Sequence, residues 1–284
     1  MRRERNLWLT LYGLAVYAFL FAPIVVLIIF SFNDSKRNFI WRGFTLKWYP
    51  ELFGNDALLA ALGVSLQVAF ISVVVTTTIG TLLGLGIARL RSRRAATVSD
   101  TLILLPMVTP EVVMGISLLL FFALLFSANG SMLQIAIAHI AFSISYVAII
   151  VRARAVSLDP RMEEAARDLG ASARQAFLHV TLPLIAPAVA AGALISFALS
   201  FDDLIITSFN AGVGSSTLPL YIYSRIRFGV TPEINAISTI IVLVTASAIL
   251  VSLRLSARRN RREPSSEDSP AASSPAHQSP TSVP

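Results

Sequence analysis

Residues 161–189 read RMEEAARDLGASARQAFLHVTLPLIAPAV. The first half is polar and helix-prone, and the second is apolar. Asp159 before it is a helix-capping residue, Pro160 suits a first helical position, and Glu163 and Glu164 fall in the first turn, where the helix dipole favours acids. Gly170 fits the left-handed position that ends a helix. A second short helix is expected over about 172–179, with Pro183 beginning the apolar segment that follows. The segment therefore predicts a helix–Gly–helix hairpin. It stands out because the chain around it is so unlike it.

Of the 284 residues, 55% are hydrophobic and only 14% charged, where a soluble domain carries roughly 25% charged residues. The apolar residues come in blocks, and several reach the roughly 20 residues that cross a bilayer. The fold class is therefore an all-α polytopic membrane protein. Charge-poor segments predict six transmembrane helices, at about 8–32, 57–88, 101–126, 132–151, 184–207 and 234–253. Pro23 is expected to kink the first. That first run is too long for a signal-peptide core and no A-x-A-like site follows it, so it reads as a retained span.

The basic residues set the orientation. With the N-terminus inside, the inner segments hold Arg2, Arg3, Arg5, Arg89, Arg91, Arg93, Arg94, Arg152, Arg154, Arg161, Arg167, Arg174, Arg254, Arg258, Arg259, Arg261 and Arg262. The outer segments hold only Lys36, Arg37, Arg42, Lys47, Arg225 and Arg227. Both termini are thus expected in the cytoplasm, with the hairpin of 152–183 on the same side. The net charge of +7 belongs to this asymmetry and points to no nucleic acid. Trp41, Trp48 and Tyr49 in the outer loop 33–56 suit a membrane interface. Residues 1–255 are expected to form one transmembrane domain, and the Ser/Pro-rich 256–284 reads as a disordered tail.

There is no cysteine, and His139, His179 and His277 lie far apart, so neither thiolate chemistry nor a metal site is indicated. No G-x-S-x-G or H-E-x-x-H motif marks an intramembrane enzyme. There is no phosphate-binding loop, and the only lysines are Lys36 and Lys47. A stand-alone secondary transporter is disfavoured by the absence of an internal repeat and by the length of the 152–183 connection. A link between spans needs only a few residues; on physics alone, that connection reads either as a solvated loop that happens to be helical or as a docking element.

The spacing Glu164-Ala165-Ala166, three residues, Gly170, nine residues, Val180-x-Leu182-Pro183 resembles the cytoplasmic EAA loop of bacterial ABC-importer permeases, with Val180 where that family usually has Ile. The resemblance implies that the loop is a coupling helix docking on a separate ATPase subunit dimer. ATP would then be bound by that partner, and this chain would carry no cofactor and catalyse nothing. Ala165 and Ala166 allow close helix approach, and Arg167 and Asp168 are candidates for charge pairing that fixes register.

Ionisable residues inside spans are costly and usually functional. Asp202 and Asp203 fall in the outer part of the fifth span, Glu111 in the third and His139 in the fourth. Adjacent helical residues point about 100° apart, so only one of the two aspartates can face a central pathway; both can also be merely solvated at the interface. Thr109-Pro110-Glu111 is equally a helix start within a broken span, and Thr231-Pro232-Glu233 repeats the triplet. His139 fits a satisfied polar residue between helices better than a ligand. Residues 200–240 and LLPMVTPEVVMGISLLL at 104–120 resemble permeases of spermidine/putrescine importers, the second of their two unlike permeases, in a likeness running from about residue 7 to 255. This implies a polyamine cargo, a periplasmic substrate-binding protein, a second homologous permease and a place in the bacterial inner membrane. Carboxylates and aromatic faces handle polycations; Asp202, Asp203, Glu111, Tyr221 and Tyr223 are the candidates, although the tyrosines equally suit interfacial anchoring. Another small solute, an organic cation or an amino acid, is the alternative cargo.

Overall fold

A computed structural model describes residues 7–35, 40–126, 130–159, 161–227, 229 and 231–260, without side chains for Leu7 and 248–260. Lys36, Arg37, Pro160, the start of the turn at 127–131 and the tail beyond 260 lie outside the described residues. The helices are α1 (Leu7–Phe30), α2 (Trp48–Phe53), α3 (Asp56–Ala88), α4 (Arg93–Val108), α5 (Glu111–Phe126), α6 (Met132–Val156), α7 (Arg161–Asp168), α8 (Ala173–Ala176), α9 (Leu182–Asp202), α10 (Ile205–Asn210), α11 (Leu218–Ile226) and α12 (Pro232–Asn260). A π-helical turn, Phe177–Thr181, joins α8 to α9. The only strand-like pairing among the described residues is one bridge, Asn33 with Phe44.

Among the described residues, four helical runs are long and apolar enough to cross a membrane: Trp8–Phe30, Asp56–Ala88, Met132–Val156 and Ala173–Asp202. A fifth arises if α4 and α5, bent by 99° at Thr109–Pro110, form one broken span. Pro232–Ser247 is a shorter apolar helix.

The chain divides into two compact units. One comprises residues 1–28 and 237–284 and holds most of α1 and α12. There α1 runs through Pro23 without interruption and exposes Trp8, Tyr12 and Phe19.

The second unit, residues 29–236, holds the core. Local chemistry starts its helices: Asn55, Ser92 and Ser131 each accept an amide proton from the first turn of α3, α4 and α6. Helix α3 packs on α6 and α9. The contact is backbone-close, since a Cβ added at Gly84 would sit 2.5 Å from the Ala148 carbonyl oxygen and one at Gly80 would sit 2.8 Å from Val147 Cβ. Without a hydrophobic drive between helices in lipid, such small-residue contacts supply the packing. Leu85, Val147, Val151 and Ile185 form a buried cluster at one end, and Val68, Ile135 and Ala136 another.

The third span bends at Thr109–Pro110, in keeping with a helix start at Glu111 within a broken span, and the Thr109 hydroxyl donates back to Leu105 O at 2.7 Å, ending α4 rather than capping α5. Two sequence expectations change. The fifth span stops at Asp202 instead of running to 207. The second arm of the hairpin does not end at 179; it passes through the π turn into α9. In the outer loop, Trp48 is buried and donates its ring N–H to Asn33 O at 2.8 Å, and Tyr49 pairs with Ser31, while Trp41 remains half exposed. The loop uses two of its three interfacial aromatics to pack on itself.

Candidate functional site

The 161–183 hairpin is held by local hydrogen bonds. Asp159 Oδ1 accepts from the Arg161 amide at 2.9 Å. At the far end Gly170 has φ +91°, the Gly170 amide donates to Arg167 O at 2.9 Å, and the Ala171 amide donates to Ala166 O at 3.1 Å. This paired closure requires a left-handed residue at position 170. Ser172 and Gln175 then cap each other reciprocally, starting α8.

Helix α7 buries no residue. Glu164, Ala165 and Gly170 are exposed, Ala166 and Leu182 are half-buried, and Pro183 is exposed in the first turn of α9. Leu182 packs on the Leu85–Val147–Val151–Ile185 cluster. Ala166 and Gly170, with Leu169, Gln175 and His179, line a shallow groove of about 470 Å³. Leu169 stands out from the turn, 90% exposed. A second cleft of about 480 Å³ lies between α7 and the ends of α3, α6 and α9, with Glu163, Glu164 and Arg89 on its wall.

The acid that engages the rest of the unit is Glu163, not the motif residue Glu164. Its Oε2 accepts from Arg89 Nη2 at 2.5 Å and from Thr181 Oγ1 at 3.0 Å, and its Oε1 accepts from Arg167 Nη2 at 2.9 Å. Arg167 is thus spent inside its own helix. Sequence reasoning missed Glu163 because the two glutamates are equivalent in a first turn; their difference lies in Arg89, 74 positions earlier.

The stop in α9 forms a second cluster. Asp203, whose side chain is 8% exposed, accepts from the Thr207 amide at 2.7 Å, from Thr207 Oγ1 at 2.8 Å and from the Ile206 amide at 3.3 Å. His139, fully buried on α6, places Nε2 3.1 Å from Asp203 Oδ2 and Nδ1 2.8 Å from Ser200 Oγ. A neutral imidazole with its proton on Nε2 donates to Asp203 and accepts from Ser200, satisfying both groups. Helix α10 is fixed further by Asn210, which donates to Gly115 O on α5 and accepts from Gln134 Nε2 on α6, each at 3.3 Å. His139 is therefore the satisfied inter-helical residue expected of it. Asp203 is bound into this network, whereas Asp202 is exposed.

Glu111 is exposed at the first position of α5, just after the bend. Tyr221 accepts from Asn55 Nδ2 at 3.3 Å, and Arg225 lies over its ring at 5.2 Å. Arg227 lies over the exposed Tyr223 ring at 4.9 Å and donates to its hydroxyl at 3.3 Å. That hydrogen bond and positive charge hold the Tyr223 phenol below its ordinary pKa.

The family described as binding-protein-dependent transport system inner membrane component matches residues 80–262. The putrescine transport system permease PotI of Escherichia coli strain K12 is 39% identical over 91% of this chain and 94% of its own. The spermidine/putrescine transport system permease PotC of the same strain is 43% identical over 84% and 89%, and that of Haemophilus influenzae is 38% identical over 86% and 95%. Among solved structures, a bacterial ABC transporter that imports the acidic polysaccharide alginate superposes with a TM-score of 0.69 over 91% of this chain and 96% of the other, at 18% identity. That likeness carries the fold alone. The chain belongs to the family of inner-membrane components of binding-protein-dependent transport systems.

Proposed function

We propose that this chain is one of two homologous permease subunits of an ATP-driven polyamine importer, moving putrescine or spermidine into the cytoplasm by alternating access. The observation that carries the reading is the 39–43% identity to polyamine permeases over most of the chain. In this reading it crosses the inner membrane six times, α4–α5 counting as one span and α12 as the last, and the basic-residue asymmetry supports both termini inside. Residues 1–255 are the permeating domain and 256–284 a tail. A periplasmic binding protein delivers cargo outside, and an ATPase dimer that binds the ATP receives the hairpin inside. The exposure of Glu164 and Ala165 on a helix with no buried residue of its own, and of Leu169 in the turn that follows it, suits a docking element.

In the pathway, Asp202 is the carboxylate free to meet an ammonium group, and Glu111 stands at the other helix break. Asp203 serves by holding that break. Tyr221 and Tyr223 already carry the guanidinium groups of Arg225 and Arg227, so a cargo cation gains those faces only by displacing an arginine. The carboxylates therefore do more of the recognition than the rings.

The test is reconstitution of this chain with its partner permease, ATPase and binding protein. The reading requires ATP-dependent uptake of labelled putrescine or spermidine. Uptake of neither, with the ATPase still bound, refutes the cargo and leaves another small solute.

A further inference from the structure

The second arm of the hairpin runs directly into α9 and packs through Phe177 and Leu182 on the Leu85–Val147–Val151–Ile185 cluster, whereas the first arm, α7, is tied to the spans through a carboxylate. Helix α7 buries nothing, and the cleft of about 480 Å³ separates it from apolar side chains such as Leu85, Ala155 and Leu184. The apolar grip of α7 on the helices beneath it is therefore slight, its packing being on α8 and the π turn. Glu163 spans the gap. It is 21% exposed, while both arginines bonded to it are more than half exposed.

Its partners lie on two separate load-bearing elements. Arg89 is the residue that closes the C-terminus of α3, and α3 packs along both α6 and α9. Thr181 is the last residue of the π turn at the foot of α9 and is buried. A π turn interrupts the regular i→i−4 ladder and commonly marks a functional site. The Glu163 bond to Thr181 therefore grips α9 where its helix departs from α-helical geometry. Charge-assisted hydrogen bonds are short and stronger than neutral ones, and a side chain already ordered by one partner loses less entropy in meeting the next.

Resting on the coupling reading of the hairpin, we infer that Glu163 is the positioning residue of ATP coupling: its carboxylate clamps α7 to the end of α3 and the foot of α9, so that displacement of the hairpin reaches the spans. Glu164, one residue on, lines the same cleft but is exposed and so accessible to the ATPase, whereas Glu163 is bonded to the permease through Arg89 and Thr181. The two adjacent acids divide the task between them.

The test uses the full complex in liposomes and reads uptake per ATP hydrolysed. A folding defect lowers the active fraction but leaves that ratio unchanged. With Glu163→Ala, and with Arg89→Ala on the other side of the bond, the ATPase still co-purifies and the ratio falls by about tenfold, within the usual range of coupling between sites. The charge exchange Glu163→Arg with Arg89→Glu brings it back to within about threefold of the original, a residual loss expected because Thr181 and Arg167 keep their old partners' geometry. A ratio unchanged in Glu163→Ala overturns the inference while leaving the coupling reading intact. Loss of the ATPase from Glu163→Ala alone also overturns it, because Glu163 would then be a docking residue. If the ATPase fails to bind the unaltered chain, the coupling reading itself falls, and this inference with it.

Discussion

His139 Nε2 lies 3.1 Å from Asp203 Oδ2, at the point where α9 stops and α10 has yet to begin. The pair connects the fourth apolar helix to a break in the fifth, and Thr207 closes it from the far side with its amide and hydroxyl. A carboxylate so enclosed is part of the scaffold. Its neighbour Asp202 is exposed. Substitutions at the two positions should therefore fail differently.

His139→Ala leaves a buried carboxylate short of a partner and should cost about 1–3 kcal/mol. Asp203→Ala should destabilise to a similar degree by freeing α10. Thermal unfolding of the detergent-solubilised protein measures both. Asp202→Asn should leave the unfolding temperature unchanged and lower polyamine uptake. Equal destabilisation by Asp202→Asn would remove the distinction.

Gly84 approaches the Ala148 carbonyl so closely that a Cβ cannot be added without moving a helix. Gly84→Ala should destabilise by about 1–3 kcal/mol, the usual cost of overpacking. Ala148→Gly should not rescue it, because the atom met is backbone. Rescue would show that α3 and α6 are held apart by side chains instead.

Gly170 has open space around its Cα, so its constraint is conformational. Gly170→Ala should cost about 1–2 kcal/mol in the hairpin, the penalty of the left-handed region for an L-residue. It should weaken ATPase co-purification without shifting the unfolding of the spans.

The Tyr223 phenol should titrate below the ordinary tyrosine value, because Arg227 favours its ionised form. Arg227→Ala should move that titration upward, as followed by ultraviolet difference absorbance. No shift would mean that Arg227 does not reside on the ring.

The native chain has no cysteine, which allows the topology to be tested with single introduced thiols. Leu169→Cys should react with a membrane-impermeant maleimide only from the cytoplasmic side, and Val213→Cys, fully exposed between α10 and α11, only from the periplasmic side. Labelling of both from one side would contradict the six-span arrangement.

What could be read from the sequence was local. The long apolar runs of α3 and α6 follow from composition, and the turn at Gly170 from a residue type only glycine suits. The Thr-Pro-Glu triplet at 109–111 marked the bend in the third span because proline and capping chemistry act within a few residues. The stop at Asp202 was harder, because no proline or glycine announces it. It depends on Asp203 taking the Ile206 and Thr207 amides while held by His139, 64 positions away. The role of Glu163 was invisible for the same reason: two adjacent acids look alike until Arg89 and Thr181 are brought beside one of them.

In the proposed function, this permease couples polyamine delivery to ATP hydrolysis through its hairpin. The direct measurement is ATP hydrolysis by the reconstituted complex with and without polyamine-loaded binding protein, for the native chain and for Glu164→Arg. The account predicts stimulation by the loaded receptor in the native complex and its loss in Glu164→Arg, with the chain still in the membrane. Stimulation that persists in Glu164→Arg, or that never occurs with putrescine or spermidine, would contradict it.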